Sequence, residues 1–171
     1  MVEEKVGFVP RILVRGPLGT RDYGLLLTTS RAIFVLQSAS KVGLGGALGG
    51  AIGGVIAAKL TTRRTIDPRN AEPELLARDA GSLSVWYAAI SSVRIWKALS
   101  NTYHLRVDYA TPAGMRAKIK GSLDPPPTKV AQNKMRGVGR DETARDYARQ
   151  VRDAFRRAVP PSVRVRVGRS R

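Results

Sequence analysis

The chain has 171 residues, with 30 Lys+Arg against 13 Asp+Glu, one histidine and no cysteine, for a formal charge of +17. That length fits one domain, and 43% apolar residues are enough to build its core. The lack of cysteine excludes a disulfide scaffold, a thiol nucleophile and zinc sites with Cys ligands, and a lone His104 cannot furnish the imidazoles of most catalytic zinc centres.

Residues 1 to 6 carry Glu3 and Glu4 and no apolar run, so no secretory signal and a cytoplasmic location are expected. A first strand is predicted over Phe8 to Val14, then a β-hairpin in which Tyr23 to Thr29 turns at Ser30-Arg31 into Ala32 to Leu36. A second β region begins near Leu83, with Val85-Trp86-Tyr87 and then Ile90 to Lys97. Tyr103 to Tyr109 alternates apolar and polar residues at period two, and Met115 to Lys120 alternates again, which predicts a three-strand meander. The last regular element is a helix from an Asp141 N-cap, where Ala144, Tyr147, Ala148, Val151, Ala154, Phe155 and Ala158 make one apolar stripe. Asp141 with Arg145 and Asp153 with Arg157 are spaced as i,i+4 pairs, and Pro160-Pro161 stops the helix. Residues 161–171 read as a basic C-terminal tail, with an edge strand over Val163 to Val167 as the other reading.

The order of hairpin, insertion, meander and C-terminal helix resembles the pleckstrin-homology-like (PH-like) superfold, in its bacterial and archaeal PH-like and GRAM-like forms. Leu25-Leu26-Leu27-Thr28-Thr29-Ser30-Arg31-Ala32-Ile33-Phe34-Val35 carries the likeness, as a Leu-Thr-x-x-Arg hairpin followed later by Ile90-Ser91-Ser92-Val93. The resemblance implies a mainly β (α+β) fold over residues 1–160, a bent antiparallel sandwich or partial barrel of seven strands capped by the C-terminal amphipathic helix. It also implies no catalysis and no cofactor, family members being adaptors that bind lipid headgroups, peptides or other proteins.

The departure from that pattern is an insertion at residues 42–60. Val42 to Ala58 run without a charge, and Gly45, Gly49 and Gly53 interleave with Gly46, Gly50 and Gly54 as a doubled glycine zipper. Such series let backbones approach closely, the usual device for helix association in lipid. As a straight helix the run would reach roughly 26 Å, short of the ~30 Å hydrocarbon core. A single crossing would also leave strands of one sheet on opposite sides, so a shallow membrane dip or a homo-oligomer contact is expected of a Gly-rich helical insertion. A Gly-rich segment packed on its own domain is the plainer reading. No GxxxxGK[ST] and no GxGxxG occurs, so a nucleotide loop is not expected.

The positive charge concentrates in the second half, where residues 83–121 sum to +5 and residues 122–171 to +8. With Leu105, Val107, Met115 and Ile119 facing inward, parity turns His104, Arg106, Arg116, Lys118 and Lys120 outward, with Arg94 and Trp96 alongside. Five cations and an exposed indole on one surface suit an anionic ligand, arginine offering forked hydrogen bonds to phosphate. The plainer reading is a solvated sheet face made basic by composition. The expected function is a non-catalytic binding module on an anionic membrane surface or a protein partner. RNA or DNA binding is the alternative, drawn from the charge and the arginine-rich C-terminus.

Overall fold

Leu25, Leu26 and Leu27, and opposite them Ala32, Ile33, Phe34 and Val35, are all buried. An uninterrupted apolar run of this kind requires cover on both faces of its sheet. In the computed structural model, which describes residues 3–16, 19–40, 62–63, 68–98, 102–125 and 138–169, strands β1 (Lys5–Gly16), β2 (Gly19–Thr28) and β3 (Arg31–Ser40) form an antiparallel meander. Leu25, Leu27, Ala32 and Phe34 enter the main core. Leu26, Ile33 and Val35 pack on Leu76 of a short helix, α1 (Pro73–Arg78), which covers the outer face. The sequence predicts no element there, because six residues are too few to display a helical period.

The chain continues through β4 (Thr62–Arg63), β5 (Leu83–Trp86), a 3-10 turn (Tyr87–Ala89), β6 (Ile90–Lys97), β7 (Tyr103–Ala110), β8 (Arg116–Leu123), α2 (Val138–Ala158) and β9 (Arg164–Arg169). Neighbouring strands follow the order β4-β3-β2-β1-β8-β7-β6-β9, with β5 also paired to β3. Val9, Ile12, Leu25 and Phe34 from one half of the sheet share a single core with Val93, Ile95, Leu105 and Val107 from the other, so the sheet folds over on itself. Without β4 and β9 the order is β5-β3-β2-β1-β8-β7-β6 followed by α2, the helix-capped, mainly β PH-like arrangement.

β1 belongs to both halves. Its register to β2 moves from Val9↔Leu25 to Ile12↔Tyr23, a bulge that bends the strand. The peptide groups at the bulge are met by α2, since the Tyr147 hydroxyl accepts from the Arg11 N–H and donates to the Arg11 carbonyl, each at 3.0 Å. Burial pushes that phenol up to about 12, so it keeps its proton and remains a donor. Past the bulge Ile12 and Leu13 pair with Leu123 and Ser122 of β8. A Cβ on Gly121 would stand 2.5 Å from Ile12 Cγ2 and 3.0 Å from the Leu13 carbonyl oxygen, so this close approach requires glycine.

The hairpin residues that carry the family resemblance fasten elements together. Thr28 Oγ1 accepts from the backbone N–H of Arg31 at 3.1 Å and of Ser30 at 3.3 Å, and lies 2.6 Å from Glu3 Oε1. The buried Arg31 guanidinium pairs with Glu3 Oε2 at 2.6 Å and with Glu74 of α1, and sits 4.8 Å from the centroid of the Trp86 ring. The start of the chain, the β2–β3 turn, α1 and β5 therefore meet on one side chain.

Several expectations need correction. α2 begins at Val138, so Asp141 holds a helical position and not the cap, a cap-forming residue being a weak marker of where a helix starts. The apolar stripe is as expected, with Tyr147, Ala148, Val151, Ala154 and Phe155 buried. Asp153 pairs with Arg152 at 2.7 Å, while Arg157 Nε donates to the Asp153 carbonyl at 3.3 Å. Residues 164–169, expected within a tail, form β9, parallel to β6 from Ser92↔Arg164 to Lys97↔Arg169. Val163 is buried and Arg164 and Arg166 are exposed, so the period-two pattern prevails over the basic composition.

Residues 42–60, with Gly45, Gly46, Gly49, Gly50, Gly53 and Gly54, lie outside the described residues. The strands that flank them are described: Ser38↔Arg63 and Ala39↔Thr62 pair antiparallel, so the insertion leaves and returns at one edge of the sheet. Among the described residues no helix is long and apolar enough to cross a membrane.

Candidate functional site: a basic face with one carboxylate

Val93 and Ile95 on β6, and Leu105 and Val107 on β7, point into the core. Alternation therefore turns Arg94, Arg106 and their neighbours to the other face. In register, Arg166 of β9 lies beside Arg94 of β6, Arg94 beside Arg106 of β7, and Arg106 beside Lys120 of β8. At ~4.8 Å between strands, this row of four cations spans roughly 14 Å. The neighbouring row reads Arg164, Ser92, Asp108 and Lys118.

Like charges side by side on a sheet repel. Asp108 relieves that repulsion at the centre of the face. It accepts from Arg106 Nε at 2.7 Å, from Ser92 Oγ at 3.0 Å and from Arg94 Nη2 at 3.3 Å. Partial burial pushes the Asp108 carboxyl up, but the hydrogen bonds from Arg106 and Ser92 and the Arg106 charge outweigh it and hold the group below its ordinary value. The carboxylate is thus ionised at neutral pH and positions both guanidiniums with their remaining N–H groups available.

The six residues expected from sequence all lie on this sheet, and all but Trp96 border one of three depressions. Arg106, Arg116 and Lys118 border one of about 710 Å³. Arg94 borders a second of about 340 Å³, together with Arg164 and Arg166. Lys120 borders a third of about 290 Å³. Two expectations fail in detail. Met115, expected to face inward, is 65% exposed, because it ends the β7–β8 turn and no neighbouring strand covers it. Trp96 is half-buried: its ring stacks on His104 with centroids 5.4 Å apart, and Lys120 Nζ lies 5.7 Å from its centroid.

Arg164, Arg166, Ser92 and Asp108 belong to the face and are missed by the sequence reading. The Val-Arg-Val-Arg-Val alternation at residues 163–167 was the available signal for the two arginines. No sequence signal shows that one aspartate collects two arginines from different strands.

No protein-family model matches the chain, and no curated protein matches it. Among solved structures, the hSac2 domain from human phosphoinositide phosphatase Sac2 aligns with a TM-score of 0.49 at 8% identity, over 99% of this chain and 79% of that one. A likeness of this size transfers neither a ligand nor an activity.

Proposed function

We propose that this chain is a non-catalytic PH-like binding module that docks on the anionic surface of a membrane through the outer face of β9, β6, β7 and β8. The observation that carries the reading is the in-register row Arg166, Arg94, Arg106 and Lys120 on four adjacent strands. With Arg116, Lys118 and Arg164 beside it, seven cations stand against the one carboxylate, Asp108, that the described residues place on this face. A broad, nearly flat positive field suits a plane of phosphates, and each cation held near such a surface contributes about 1 kcal/mol. The glycine-rich insertion, whose flanking strands pair at the β3–β4 edge, joins this reading as a shallow membrane contact or a self-association element on the strength of its uncharged glycine series.

Nucleic acid is the weaker reading on two observations. Trp96 is half-buried and already engaged by the His104 ring and Lys120, so stacking a base on it would compete with those contacts. Arg164 to Arg169 sit in a strand, so they do not form the loose basic arm that reading draws on.

Co-sedimentation with phosphatidylcholine vesicles containing phosphatidylserine tests the proposal. Removing two exposed cations in the double variant Arg164→Gln/Arg166→Gln should weaken binding roughly 30-fold. Undiminished binding by that variant, or equal binding to uncharged vesicles, would overturn it. Single-stranded RNA that displaces the vesicles at far lower concentration would move the function to nucleic acid.

Deleting residues 42–60 tests the second element. The deletion leaves residues 40, 41 and 61 between the paired Ala39 and Thr62, a length that hairpins accept. The shortened protein should melt within a few degrees of the parent while losing vesicle retention that survives high salt. Unchanged salt-resistant retention, with an unchanged sedimentation coefficient, removes the insertion from the proposed function.

A further inference from the structure

Beyond the flat face, where β1 approaches β7 and β8, a cleft of about 290 Å³ is bordered by Arg15, Thr102, His104, Lys120 and Ser122 over Leu13. That volume lies at the small end of ligand pockets, which run ~300–1,000 Å³. Its chemistry differs from that of the neighbouring surface. Arg94 and Arg106 share their face with the Asp108 carboxylate, whereas no carboxylate among the described residues lines this cleft. Arg15 ends exposed on β1 and has no ion pair among the described residues. Lys120 reaches over the Trp96 ring from β8. Trp96 backs His104 with a stacked ring, and a hydrogen bond to the Gly121 backbone orients the imidazole. A small cleft that gathers two cations, an imidazole and two hydroxyls, with no acidic group among the described residues, matches a compact dianion.

We propose that this cleft is a binding site for a phosphomonoester group and that binding shifts His104 toward its protonated form, drawing part of a proton from solvent. The proposal rests on the anion-binding reading above and names the headgroup chemistry and its regulation. The groups facing His104 are Arg15 on β1, Trp96 on β6, and Lys120, the Gly121 carbonyl and Ser122 on β8. Burial, with the charges of Lys120 and Arg15, keeps the imidazole below its ordinary 6.5, against the opposing pull of the Gly121 hydrogen bond. The free cleft therefore holds a neutral histidine at pH 7. A bound dianion reverses that field and favours imidazolium, so affinity rises as pH falls from 7 toward the value of the free imidazole. A phosphomonoester itself gains a proton near pH ~6, which opposes the trend. Sulfate stays dianionic through this range and isolates the contribution of His104.

The chain has one histidine, so its imidazole C–H resonance is assigned without ambiguity. NMR titration between about pH 5 and 8 should show the His104 midpoint rising by about one unit when sulfate or inorganic phosphate is added. Arg15→Gln, whose thermal midpoint reports that it is folded, should raise the midpoint of the free protein and weaken sulfate binding at least about tenfold.

Vesicles separate the two sources of the group. A lipid source makes phosphatidic acid vesicles bind more tightly than phosphatidylserine vesicles of matched charge and moves the His104 midpoint. A soluble source makes inorganic phosphate move the midpoint while phosphatidic acid gives no preference. A midpoint unmoved by sulfate, phosphate and phosphatidic acid, with Arg15→Gln behaving as the parent, overturns the cleft. Loss of vesicle binding in Arg164→Gln/Arg166→Gln would then leave the membrane reading standing. Conversely, a midpoint shift with phosphate in a protein that ignores every vesicle keeps the cleft and removes the membrane.

Discussion

Replacing Arg31 by alanine is expected to destabilise the protein by about 3–5 kcal/mol, a large part of the ~5–15 kcal/mol that holds a typical domain together. The Arg31 side chain is 7% exposed and that of Glu3 14%, so their pairing is shielded from water. Arg31 Nε lies 3.0 and 3.1 Å from the two Glu3 oxygens, and Nη2 completes the fork at 2.6 Å. Truncation leaves the Glu3 carboxylate without its cation, strips α1 of its Glu74 anchor and opens a gap beneath Trp86. Urea denaturation reads the effect, and an unchanged midpoint would contradict this account of the turn.

The same cluster sets an acid limit. Burial raises the Glu3 carboxyl, but hydrogen bonds from Arg31, Ser30 and Thr28 and the Arg31 charge outweigh it and leave the group below its ordinary 4.5. A lowered carboxyl stabilises the fold fully above its ordinary value and stops doing so as pH falls through the lowered one. The parent's melting temperature should therefore drop on acidification below about pH 4.5, and Glu3→Gln should show a flatter acid limb.

Phe155→Ala is expected to cost a similar amount, about 3–5 kcal/mol, or roughly 10 °C in melting temperature. Phe155 is fully buried, and its core also holds Val9, Leu25, Val93 and Leu105, so it ties α2 to both halves of the folded sheet. The loss should extend beyond α2. β9 follows α2 directly, and the intervening Val163 is itself buried in this core. A loosened helix should lower hydrogen-exchange protection along β9, expose the edge of β6 and weaken the Arg166–Arg94 part of the basic row. A variant that melts within a couple of degrees of the parent would show that α2 is dispensable for closing the core.

The hairpin and the meander were legible because both are local. Thr28 to Arg31 mark a turn, and strict alternation at residues 103–109 and 116–120 assigns each side chain to a face. Contacts between distant segments were not legible. β9 meets β6 only after the chain has passed through α2, so its arginines read as a tail until that parallel pairing is known. Parity placed Trp96 on the outer face, but only the Trp96↔His104 register shows that a neighbouring ring covers it. Arg15 joins Lys120 and His104 through the tight passage at Gly121, a contact between strands about a hundred positions apart with no local trace. α1 escaped notice for a simpler reason: a single turn and a half has no period to detect.

The knot at Thr28, Glu3 and Arg31 also bears on how kin of this protein should be sorted. Its side chains are consumed in tying one end of the molecule to the next, so they report how such a shell is fastened and say nothing of its cargo. The informative positions for grouping such kin are the outward residues of the far strands, where charge can be gained or lost without disturbing the fastening.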